Sequence, residues 1–155
     1  MKDLISIVNY LVDKSILMKN EFTDATDVPI EFACIFCQSD EEYKKLTAEI
    51  QKLGKVVQDT PTGFTYLLNQ PLETEAGSLK LVKIRKPDPL RKERGDTDFN
   101  TNYPEFKKKY SNEQNFELIK RTNFEMLRLS VPNQDVMVCF SSVSLGRVLG
   151  SNSNR

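Results

Sequence analysis

Histidine is missing from all 155 residues of this chain, and that absence excludes more chemistry than any other feature of its composition. No Ser-His-Asp or Cys-His nucleophile system can be assembled without it. Imidazole-rich zinc sites are excluded too, which leaves carboxylate, thiolate and backbone donors for any metal. Acid–base work near neutral pH would fall to a Glu, Asp, Lys, Tyr or Cys whose pKa its surroundings have moved. Net charge is also lacking, because 22 Lys and Arg balance 22 Asp and Glu. No global field draws the chain to nucleic acid or to a membrane surface, and neither is expected as a partner. Cysteine is scarce and odd in number, three in all, which argues against a disulfide framework and for a reducing compartment. No run approaches the roughly 18 apolar residues of a membrane helix. Residues 1–19 lack the cationic, apolar and small-residue order of a secretion signal, since Asp3, Asn9, Asp13 and Lys14 interrupt them. The expectation is a cytoplasmic protein, long enough for one well-buried core.

What is present is a unit that occurs twice. Residues 30–38 read as a strand, 40–53 as an amphipathic helix, and three strand-like stretches follow before Pro87. The order then restarts, with 96–101 strand-like, 104–110 helical and further strands running to Phe140. This predicts an α+β fold of two βαβ-type modules, 29–89 and 95–149, related by an approximate twofold. Residues 1–28 form an N-terminal helix and connector, and 150–155 a disordered tail.

Local signals support the division. Leu4, Ile7, Val8, Leu11 and Val12 recur at helical spacing over 3–19, and Pro29 stops any helix from entering the next strand. Residues 30–37 are apolar at almost every position, as in a strand covered on both faces. Ser39 and Glu42 form a capping box, Tyr43, Leu46, Ile50 and Leu53 a buried stripe, and Gly54 suits the C′ position. Strands are predicted at 55–58, 63–68 and 79–84, with turns at 61–63 and 76–78. Pro87, Pro89 and the charged 91–95 stretch mark the junction. In the second half Pro104 suits a first helical turn, Tyr103, Phe106 and Tyr110 share a face, and 116–122, 124–131 and 136–140 are strand candidates.

Three sets of residues invite a functional reading. Glu31 and Asp98 each precede a Phe on the opening strand of a module, and so read as equivalent positions. Cys34 and Cys37 have the spacing of a redox or zinc pair, but within a strand residues three apart point to opposite faces. They are expected to be buried, reduced structural thiols, with Cys139 a singleton. The third set is basic: Lys80, Lys83, Arg85, Lys86, Arg91, Lys92 and Arg94. Lys83 and Arg85 alternate along one strand and share a face, where they could hold a carboxylate or phosphate, whereas 91–94 reads as a solvated junction. Lys107–Lys109 reads as the exposed side of a short helix.

Three stretches also carry a family likeness. They are Ile-Glu-Phe-Ala-Cys at 30–34, residues 62–72 ending Leu-Leu-Asn-Gln-Pro-Leu, and 83–87 followed by 95–99. Over about 30–140 the chain resembles the vicinal oxygen chelate superfamily of glyoxalase I, bleomycin-resistance proteins and dioxygenases, and within it the YecM-like branch. The resemblance implies two βαβββ modules in an open, cupped mixed sheet, with metal held by cup-facing side chains, commonly His, and Glu from later strands. Residue by residue, the two His positions are Glu31 and Asp98, the fourth-strand Glu position is Lys83, and the last position falls within 136–140, where no carboxylate stands. The expectation is therefore no resident cofactor and a degenerate metal site, with Lys83 neutralising Glu31 and Asp98. Mg²⁺ or Mn²⁺ held by Glu31 and Asp98 with water is the alternative. Function follows as binding of a small, anionic ligand through Glu31, Lys83, Arg85 and Asp98. A divalent-metal-dependent lyase, isomerase or dioxygenase is the alternative that the resemblance implies, and a protein-interaction module is a third. No catalytic residue is assigned, and a homodimer is left open, because two modules can close a cup within one chain.

Overall fold

The structure is a computed structural model describing residues 2–149, so the expected tail at 150–155 lies outside the described residues. Helix α1 (Leu4–Phe22) starts where the Asp3 side chain accepts a hydrogen bond from the Ser6 N–H at 2.8 Å. Its stripe of Leu4, Ile7, Val8, Leu11 and Val12 is buried as expected. Each such side chain contributes roughly 1.5–3 kcal/mol of hydrophobic stabilisation. The helix runs past the expected end at residue 19 because Lys19 is itself buried, its Nζ donating to the carbonyls of Ala25 at 2.8 Å and Thr26 at 3.1 Å. That ammonium ties the connector down over the last turn.

The first module is β1 (Ile30–Phe36), α2 (Asp40–Gln51), β2 (Gly54–Thr60), β3 (Gly63–Thr74) and β4 (Gly77–Arg85). The second is β5 (Gly95–Phe99), α3 (Tyr103–Tyr110), β6 (Phe116–Lys120), β7 (Glu125–Leu129) and β8 (Val136–Ser141), followed by a short helix α4 (Leu145–Val148). All eight strands form one mixed sheet in the order β2-β3-β4-β1-β5-β8-β7-β6. In each module the opening strand pairs in parallel with the last strand, and the last three strands form an antiparallel meander. Both modules are thus βαβββ with the same internal strand order, and they meet through the antiparallel pair β1·β5. Ala33 faces Thr97 in that pair, so a twofold through it exchanges the two strands.

Some local expectations change. Ser39 caps α2 by accepting from the Glu42 N–H at 3.1 Å, but Glu42 reaches back to the N–H of Gln38, one residue before the cap. Leu53 is not part of the buried stripe; it is exposed, while Leu46 and Ile50 are buried. Gly54 is no left-handed C′ cap either, since it already belongs to β2. A Cβ there would lie 2.4 Å from the Leu67 carbonyl oxygen, so glycine is required by the close approach of β3. β3 also continues past residue 68 and through Pro71, beside a register shift between Leu67 and Leu72 that accommodates the missing N–H.

A single buried cluster joins α1, α2 and α3 to Ala33, Ile35, Val82, Ile84, Phe99, Val138 and Phe140, so the three helices cover one face of the sheet. Thr97 is on this face as well, donating to Ser15 of α1 at 2.7 Å. The other face, with Phe32, Cys34, Phe36 and Met137, carries a separate small apolar cluster. No helix among the described residues is long and apolar enough to cross a membrane.

Candidate functional site

Directly opposed residues on neighbouring strands point to the same side of a sheet, so the register maps the free face row by row. One row runs Gln58, Thr65, Lys83, Cys34, Asp96, Met137. The next runs Phe32, Asp98, Cys139, Arg128, Glu117. Phe36 and Arg85 are opposed beyond the first row, Ile119 and Met126 beyond the second. The sheet curls around this face, and residues from both edge strands wall one cavity of about 710 Å³. Its lining includes five cations, Lys83, Arg85, Arg91, Arg121 and Arg128, and three acids, Asp96, Asp98 and Glu117. Leu145, Val148 and Leu149 line it from the α4 segment.

Three of the four expected ligand residues, Lys83, Arg85 and Asp98, line this cavity; Glu31 does not. The cause is a register shift between Ile30 and Phe32, which leaves Glu31 in a bulge with its side chain re-aimed. Its carboxylate accepts from Asn100 Nδ2 at 2.6 Å, Ser144 Oγ at 2.8 Å and the Gly146 N–H at 2.5 Å, anchoring the start of α4. Asp98, by contrast, is directly opposed to Phe32 across the β1·β5 pair, whereas Glu31 has no opposed residue there.

Lys83 does not neutralise that pair. Its Nζ donates to Thr60 Oγ1 at 3.0 Å and Thr62 Oγ1 at 2.7 Å, at the end of the β2–β3 hairpin, and burial lowers its pKa. Arg85 places its guanidinium 4.9 Å from the centre of the Phe36 ring and reaches Asp88 at 3.2 Å. Arg91, expected in a solvated junction, lines the cavity. Arg94 of the same stretch is structural, bonding Glu42 at 2.7 Å and the Phe36 carbonyl at 2.7 Å. Lys107 and Lys109 pair with Glu125 and Asp24 rather than standing free.

The two aspartates on the cavity floor differ in their partners. Asp98 is buried and accepts from the backbone N–H of Ser141 at 3.3 Å and from its hydroxyl. Burial nevertheless pushes its pKa up to about 7, with the charges of Asp96 and Glu31 adding to the rise against those hydrogen bonds. Burial pushes Asp96 up to about 6, opposed by the charges of Arg128, Arg85, Lys83 and Arg91, with no hydrogen bond in the balance. Asp96 and Arg128 were absent from the expected site. Alternation from Asp98 would have found Asp96, and a lone Arg inside the apolar run at 124–131 would have flagged Arg128.

Cys34 and Cys37 behave as expected, both free and buried. Cys34 faces the cavity and Cys37 the helical core. Burial holds the Cys34 thiol well above its ordinary pKa and Cys37 at about 12, which opposes thiolate chemistry at either.

The donor set does not suit a divalent metal held by Glu31 and Asp98, because both carboxylates are engaged by protein hydrogen-bond donors. Among the described residues no cluster of three or more His, Cys, Asp or Glu could hold a metal ion.

No protein-family profile matches the chain. No curated protein matches it by sequence. Among solved structures, one described as "Structural Genomics, Protein EC4020" superposes with a TM-score of 0.71 at 10% identity, covering 97% of this chain and 93% of that one. At that identity the likeness is one of fold, and it takes in nearly the whole of both chains. A glyoxalase/bleomycin resistance protein/dioxygenase superfamily member from Vibrio splendidus 12B01 gives a TM-score of 0.44 at 7% identity, over 74% of this chain and 97% of that one.

Proposed function

We propose that the protein binds a small organic anion in the cup between its modules, without a resident metal. The observation that carries this reading is the excess of cations around one cavity of about 710 Å³, five against three acids, set among Phe32, Phe36, Ile119 and Met126. That size lies within the range of small-molecule pockets, and a few convergent polar groups among apolar walls are their usual chemistry. Guanidinium groups are the side chains best suited to a carboxylate or phosphate. The doubled βαβββ order supports a vicinal-oxygen-chelate-like architecture, and the carboxylates engaged elsewhere support reading the metal positions as degenerate.

Thermal unfolding in the presence of octanoate tests the reading. A ligand at about a hundred times its Kd stabilises the native state by about 2.7 kcal/mol, so octanoate should raise the melting temperature in proportion to the logarithm of its concentration. Replacing both Arg85→Gln and Arg128→Gln should abolish the rise. No rise in the parent protein, or an undiminished rise in the double variant, would remove the cup as an anion site.

A further inference from the structure

The hydrogen-bonding groups left unused in the cup specify its ligand further, on the footing that the cup takes a small anion. Arg85 and Arg128 both line the cavity, and each keeps a buried Nε–H with no partner among the described residues. Buried donors are normally satisfied, and an orphan calls for an explanation. The floor between β4 and β7 also holds Asp96, whose carboxylate feels the charges of Arg128, Arg85, Lys83 and Arg91 but receives no hydrogen bond. Its neighbour Asp98, two residues along the same face, is served by Ser141. The cup floor therefore presents two buried donors, and the Asp96 carboxylate, without a hydrogen bond among the described residues.

A ligand matching this set brings an acid group to the guanidinium donors and a hydrogen-bond donor to Asp96. Charge decides the kind of donor. Four cations already surround Asp96, so an ammonium group on the ligand would be repelled by them, and a neutral hydroxyl would not. The rest of the ligand meets an apolar region. Ile119 and Met126 lie beyond the Asp98 row, with Phe124, Leu145 and Val148 also lining the cavity. We propose that the ligand is a hydroxy acid with an apolar chain: its acid group on Arg128, its hydroxyl donating to Asp96, its chain against the second module and α4. Asp96 is then the specificity residue, and the arginines supply general anion affinity.

Isothermal titration of the full chain with β-hydroxyoctanoate and with octanoate separates these roles. A site that hydrogen-bonds a hydroxyl discriminates against the analogue lacking it. β-Hydroxyoctanoate should bind about tenfold more tightly than octanoate, as expected when a hydrogen bond to a charged group is lost. Asp96→Ala should erase that difference, whereas Asp96→Asn, which keeps an acceptor oxygen of the same shape, should retain part of it. Arg128→Gln should weaken both acids together. Equal affinity for the two acids in the parent protein, or a preference that survives Asp96→Ala, overturns the hydroxy-acid assignment while leaving the anion site in place. Failure of both acids to bind the parent protein brings down the anion reading itself and this inference with it.

Discussion

At the residue scale, Asp98 contributes a pH dependence to stability. Its folded pKa is pushed up to about 7 from an ordinary 3.8, mainly by burial. The folded protein therefore holds this proton more tightly than the unfolded chain does. Stability from that difference is present below about pH 4 and is lost as pH rises through about 7. Asp96, raised to about 6 by burial on the same face, acts in the same direction. Asp98→Asn keeps one of the two oxygens that accept from Ser141 and removes the ionisation. Urea unfolding should show this variant more stable than the parent at pH 8 by about 1–3 kcal/mol, with a clearly smaller margin at pH 5. A variant equally stable at both pH values, or weaker at pH 8, would show that Asp98 is comfortably ionised in the fold.

At the scale of elements, the strands and helices followed from periodicity, but the site depended on features that periodicity does not carry. The capping residue Ser39 and the stripe of α1 were legible because each is a local pattern. The bulge at Glu31 was not, because it exists only in the pairing of β1 with β5, and an aligned family position carried Glu31 into the cup. Helix α4 was missed because four residues show no helical period. The threonines that hold Lys83 lie on another strand and its turn, reached only through tertiary register. Asp96 is readable from alternation with Asp98 along β5, although no family position falls on it. Glu31 now has a different test, since it serves α4 and not a metal. Glu31→Ala should speed amide hydrogen exchange at Gly146 by tenfold or more, the size expected when a hydrogen bond to a charged group is lost. Amides of β4 and β8 should keep their protection. Unchanged exchange at Gly146 would mean that the helix is held by its apolar contacts alone.

At the scale of the whole molecule, the two modules are joined along the β1·β5 seam, beneath α1, which packs on β1, β5, β8 and α2, and through α4, which packs on β1. Gly95 stands where the first two junctions meet. A Cβ there would lie 2.2 Å from the Cys34 carbonyl oxygen across the seam and 2.9 Å from Leu11 Cδ1 of α1. The leucine could rotate aside, but the carbonyl belongs to the sheet, so the strands themselves must part. Gly95→Ala should therefore destabilise the protein by about 1–3 kcal/mol, the usual cost of forced overpacking. The doubled architecture alone would allow each module to open separately, whereas the shared seam and the shared helix should make the two open together. If they do, the slowest amides of β4 and of β8 exchange with the same free energy in the parent protein, and Gly95→Ala lowers both by the same amount. Should β8 open at a clearly lower free energy than β4, or should the substitution lower only one of them, the modules are separate folding units and the cup between them is a docked interface, not a continuous core.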